Sequence, residues 1–219
     1  MIRALVTKDL SLVARDRVLR LVPVFYLAVF LAGSGAFFSS FLSGNGSQFA
    51  AASELLFSRV CALQCILLAG ISPWLVLRMH GDDLNHASMM AKPWQVLLSK
   101  TVASATYLMV FLSLSLPVFS IVRLVGAAGL RQIAWSFADL FLFLLVLTLL
   151  VFHVRLRCSG WAASWALSYA GLAALGFGGY EIWSALDHAS VTLILLLTAL
   201  MLSALLILHG NLALVYERN

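Results

Sequence analysis

Few side chains in this sequence are of a type that does chemistry, and their spacing narrows what that chemistry is. Cys61 and Cys65 stand four residues apart, on one face of a helix, and paired thiols are a ligand set for soft metals. No further Cys or His pattern completes such a site, so no metal is expected. One pair of adjacent carboxylates occurs, Asp82-Asp83, in a polar stretch between His80 and His86. Arg59, Gln64 and Glu181 are polar groups within or at the ends of apolar runs, where ionisable side chains are costly and mark pathways. They are candidates for a pathway or its outer mouth. For Arg59 the plainer alternative is a surface pair with Glu54 or Glu181, and for Asp139 a pair with Arg131 or Arg123. No His-Glu-x-x-His or His-x-x-x-His pattern occurs and the acids gather at span ends, so an intramembrane enzyme is not expected. The phosphate-binding pattern Gly-x-x-x-x-Gly-Lys-Ser/Thr is also missing, so ATP is not expected to bind here.

The elements that must carry these residues follow from composition. Of 219 residues, 63% are hydrophobic and only 11% charged, with a mean hydropathy of +1.02. Soluble domains are about 45–50% apolar and about 25% charged. So few charges cannot clothe a globule in water, but they suffice where the outer surface meets hydrocarbon. Crossing that layer takes about 20 apolar residues, and the backbone must satisfy itself, which leaves helices. Six spans are expected at roughly 21–43, 55–79, 98–124, 136–155, 158–182 and 189–213, forming one all-α polytopic transmembrane domain over residues 1–219. Pro117 is a candidate kink in the third span. Gly171, Gly176, Gly178 and Gly179 read either as close-packing residues or as a break in the helix.

Charge sets the orientation. Arg3, Lys8, Arg15, Arg17 and Arg20 precede the first span, Arg78, Lys92 and Lys100 surround the second connection, and Arg155 and Arg157 lie at the fourth. Six spans place all of these on one side, and the positive-inside rule makes that side cytoplasmic, with both termini inside. The net charge of +5 and a pI near 9.5 are explained in this way, so no nucleic-acid partner is expected. Cys61, Cys65 and Cys158 make no disulfide framework. The N-terminus does not read as a secretory signal. Asn45-Gly46-Ser47 fits a glycosylation tripeptide within a flexible outer loop, a pattern common by chance.

Two segments stand apart from the spans. Residues 1–20 form an amphipathic helix with Ile2, Leu5, Val6, Leu10 and Val13 on one face and Arg3, Thr7, Ser11 and Arg15 opposite. Such a helix suits the cytoplasmic headgroup region, or else serves only to fix topology. Pro23 is the expected turning point into the first span. Residues 80–92 read as a short cytoplasmic helix capped by Asp82 or Asp83, ended by Pro93 and followed by an interfacial Trp94, or as a solvated loop.

An amphipathic N-terminal helix, two spans, and an acidic cytoplasmic segment with a proline before the third span resemble the permease subunits of type-2 ABC transporters. Arg78, Gly81, Asp82, Asp83, Leu84, Met89, Met90, Pro93 and Lys100 match that outline. Length and paired acids also resemble the haem-exporter B subunit of cytochrome c maturation. The family's Glu-rich start and Gly-Thr or Gly-Ser-Leu-Glu core are replaced here by His80 and Asn85-His86-Ala87-Ser88. The resemblance implies an elbow helix at 1–20, including Arg3, Lys8, Arg15 and Arg17, and a coupling helix at 80–92. Asp82, Asp83, Leu84, Met89 and Met90 would meet a separate ATP-binding subunit that holds ATP and Mg. It further implies a second permease copy or paralogue around one pathway, in the bacterial cytoplasmic membrane, and a re-entrant outer segment over 176–190 with Glu181 and Asp187 near its outer mouth.

Overall fold

A computed structural model describes residues 2–43, 49–80, 93–157, 166–170 and 188–216, and these are helical apart from short caps and turns. The helices are α1 (Ile2–Arg15), α2 (Arg17–Leu42), α3 (Phe49–His80), α4 (Pro93–Leu124), α5 (Leu130–Arg157) and α6 (His188–Tyr216). Five helices, α2 to α6, are long and apolar enough to cross a membrane. The expected span at 158–182 lies outside the described residues except for the helical piece at 166–170. Large apolar side chains such as Phe25, Ile66, Leu124 and Leu200 face outward, as an integral membrane protein requires.

The expected turning point at Pro23 is corrected. The chain breaks at Asp16, whose extended backbone (φ −74°, ψ 116°) separates α1 from α2. Its Oδ1 accepts the Val18 N–H at 2.8 Å and the Leu19 N–H at 3.4 Å, so Asp16 caps α2 where the sequence reading had the first helix continue. Pro23 lies inside α2 and has no N–H to offer the Leu19 carbonyl four residues back. The Tyr107 hydroxyl of α4 donates to that carbonyl instead. A proline is tolerated within α2 because a neighbouring helix supplies the missing donor.

The helix that carries the third span, expected at roughly 98–124, starts a turn ahead of it, and its apolar stretch runs Gln95–Leu124. Pro93 is the first residue of α4, where its lack of an N–H costs nothing. At the far end Gly126 adopts φ +76°, with the Gly126 N–H on Arg123 O and the Ala127 N–H on Val122 O. That paired arrangement closes a helix and needs a residue without a Cβ. Gln132 Oε1 then accepts the Gly129 N–H at 2.9 Å, fixing the start of α5.

α4 is the hub and packs against all five other helices, with α1 among its most extensive partners. Along it runs an aromatic column. Phe111 meets Tyr26 and Tyr107 edge-on at 5.2 and 5.3 Å, and Phe119 meets Phe137 edge-on at 5.0 Å. Edge-to-face contacts of this kind hold rings in defined geometry. A second apolar cluster joins Val76 and Leu77 of α3 to Phe152 of α5 and Leu195 and Ala199 of α6. α2 and α6 are peripheral: 17% of the most apolar stretch of each is buried, against 50% in α3.

Candidate functional site

The polar groups of the described chain gather at two places. The first is the end of the bundle where α1 meets the C-terminal end of α3 and the start of α4. On the apolar face of α1, Val6, Leu10 and Val13 pack into the core, and of the expected polar face Arg3, Thr7 and Arg15 are exposed while Ser11 is half-buried. The apolar face is used against the helix bundle, chiefly α4, rather than left for acyl chains. Asp9 also falls on it and is buried, and Lys100 Nζ of α4 donates to its Oδ1 at 2.8 Å. The two side chains are only 2% and 3% exposed. Lys100 lies five residues inside the apolar span of α4, about 8 Å along the helix.

A second ion pair lies at the α1–α2 junction. Arg78 Nε donates to Asp16 Oδ2 at 3.0 Å while Oδ1 caps α2. Arg78 is half exposed here. Burial opposes ionisation of Asp16, but the Val18 N–H, the Arg78 guanidinium and the Leu19 N–H outweigh it and hold the carboxyl below its usual range. Tyr107 adds a third, uncharged tie to the Leu19 carbonyl. Arg78 and Lys100 stand on either side of the 81–92 connection, so α1 and its junction are tied to both helices that carry that connection.

The second place is within the membrane. Gln64 of α3 is 2% exposed and donates to Ser115 Oγ of α4 at 2.6 Å, while Ser115 donates to Leu112 O. The fully buried ring of Tyr26 stands beside them. Buried polar side chains need partners, and here α3 and α4 supply them to each other. Arg59, by contrast, is exposed on the face of α3 that carries Leu55, Ala62 and Ile66. It is five residues from Gln64, about 140° around the helix, so the two do not share a face. Among the described residues no ion pair joins Arg59 to Glu54. Asp139 is met by Thr192 Oγ1 of α6 rather than by Arg131 or Arg123, which corrects the expected pairing. It joins α5 to α6 by a hydrogen bond.

Between α4 and α5 an open cleft of about 250 Å³ is walled by Met109, Leu112, Leu116, Phe137 and Phe141. Its Ser113 hydroxyl is already donating to Met109 O, so the cleft presents hydrocarbon and little else. Asp82, Asp83, Leu84, Met89, Met90 and Glu181 lie outside the described residues. Asp9, Asp16, Tyr107 and Ser115 were not singled out by sequence. Only Asp9 carried a signal, a carboxylate on an otherwise apolar helix face. Comparison of the chain with protein-family models, curated proteins and solved structures finds no match.

Proposed function

We propose that this chain is the membrane-spanning permease subunit of an ABC transporter, driven by ATP hydrolysis on a separate ATP-binding subunit. The observation that carries the reading is the double tie of α1. Asp16–Arg78 and Asp9–Lys100 link α1 and its junction to the ends of α3 and α4, the two helices that flank residues 81–92. A push on that connection from a soluble partner would reach α1, α3 and α4 together, and α4 touches every other helix. In this reading the chain has six spans with both termini in the cytoplasm, the residues at 80–92 couple to the ATPase, and a second copy or paralogue completes the pathway. The residence is the bacterial cytoplasmic membrane, and the substrate is moved without chemistry on this chain.

The test is purification in mild detergent, identification of the subunits that accompany the chain, and an ATPase assay. A stoichiometric ATP-binding partner, lost when Asp82, Asp83 and Leu84 are replaced together, is the expected result. Well-folded protein with no such partner overturns the reading and leaves a membrane scaffold in its place.

A further inference from the structure

The cytoplasmic end of α2 is rich in cations whose neighbouring carboxylates are already engaged. Asp9 is taken by Lys100 and Asp16 by Arg78 and the α2 cap. Arg15, Arg17 and Arg20 are exposed, and among the described residues none of the three makes an ion pair. Directly along the same helix, Leu21, Val24 and Phe25 are 64%, 63% and 66% exposed. At 100° per residue, Arg17, Arg20, Leu21, Val24 and Ala28 fall within about 100° of arc, a single outward stripe with cations at its cytoplasmic end. From Arg17 to Ala28 the stripe runs about 16 Å, close to the depth of one hydrocarbon leaflet.

We propose that this stripe is a docking site for an anionic phospholipid of the cytoplasmic leaflet. Arg17 and Arg20, with Arg15 beside them, take the phosphate, and Leu21, Val24 and Ala28 take an acyl chain. Guanidinium groups suit phosphate oxygens because their paired N–H donors match the oxygens two at a time. A headgroup with net negative charge gains from three unneutralised cations, whereas the ammonium of a zwitterionic headgroup is repelled by them. The exposed apolar stripe selects a lipid over a free anion. A second copy of the chain is the poorer occupant, since two-fold packing on this face would bring like cations together. The inference does not depend on a transport role.

The test titrates the delipidated full chain in detergent with phosphatidylglycerol and, as neutral probe, phosphatidylcholine of the same acyl chains, reading bound lipid by native mass spectrometry. Phosphatidylglycerol is expected to bind more tightly, and Arg17→Gln with Arg20→Gln to weaken it roughly ten- to thirty-fold. Arg123→Gln with Arg131→Gln, which removes as much exposed charge from the opposite end, is expected to leave it unchanged. Equal binding of the two lipids, or equal loss in both double variants, overturns the proposal. So does displacement of phosphatidylglycerol by inorganic phosphate as readily as by a short-chain phosphatidylglycerol, which would make the site one for a free anion. Should the inner variant fail to fold, the unmodified chain still decides: added salt must weaken phosphatidylglycerol and spare phosphatidylcholine, and equal salt response of both lipids counts against the site.

Discussion

Asp9–Lys100 and Asp16–Arg78 tie the same short helix and its junction to the bundle, seven residues apart, in opposite surroundings. The first pair is sealed between α1 and α4 with both side chains at most 3% exposed, while the second has Arg78 half in solvent. A buried pair gives up the hydration of two charges, so its attraction and its cost are both large, and removing one partner strands the other. An exposed pair keeps most of its hydration and is screened by salt, so little changes when it is lost. The comparison teaches that these two links do different work. The buried pair fixes where α1 can sit; the exposed pair, sharing Asp16 with the α2 cap, is a weaker and salt-sensitive link at the junction.

The largest expected effect is therefore at Lys100. Lys100→Met strands the Asp9 carboxylate in an apolar site and should cost about 3–5 kcal/mol of stability. The double variant Asp9→Leu with Lys100→Met removes both charges and should recover most of that loss, because well-packed apolar replacements of buried pairs are close to neutral. Unfolding in mixed detergent micelles of the two single variants and the double measures the coupling directly. If the singles cost no more than the exposed pair does, the contrast between the two links fails.

Tyr107 offers an uncharged link at the same junction. Tyr107→Phe leaves the Leu19 carbonyl without a donor, since Pro23 cannot replace it, and should cost about 1–3 kcal/mol. Restoring the backbone donor by Pro23→Ala in the Tyr107→Phe background should return part of the loss. If Tyr107→Phe costs the same whether residue 23 is Pro or Ala, the hydroxyl is not standing in for the missing N–H.

These links also show what could be read from sequence. The spans were legible because hydrocarbon imposes one strong rule, and α3, α4 and α5 fall where apolar length demands. The apolar face of α1 was legible from its helical period, although what covers it, chiefly α4, was not. The break at Asp16 was not, because Pro23 is the louder local signal and its acceptance inside α2 depends on a tyrosine 84 residues away. Gln64 stood out as a polar residue at membrane depth, but its partner Ser115 is one of many serines in α4 and nothing local marks it. Asp139 was read toward nearby arginines because opposite charge is the simplest pairing rule, while α6 brings Thr192 within reach instead. Local period and length reach through sequence; pairings across helices do not.

A smaller effect is expected at Arg78. Arg78→Ala should change stability by about 0–1 kcal/mol, and added salt should shrink even that. A loss comparable with Lys100→Met would mean that Asp16 depends on Arg78 far more than its exposure implies.

The smallest effect is in acid, and its sign follows from Asp16 alone. The Val18 N–H, the Arg78 guanidinium and the Leu19 N–H outweigh burial and hold the folded carboxyl below its ordinary value of 3.8. The unfolded chain therefore takes up this proton first as the pH falls. The stabilisation is complete above the unfolded value, declines below it, and is lost as the pH drops through the folded value. Between about pH 5 and 8 this carboxyl contributes no pH dependence. Asp16→Asn isolates the charge, since asparagine caps a helix about as well as aspartate. The two proteins should differ slightly at neutral pH and converge in acid, read as unfolding midpoints across the range. A gap that persists in acid would assign the junction to the shape of the cap rather than to the charge of Asp16, and the exposed ion pair would then be incidental to how α1 meets α2.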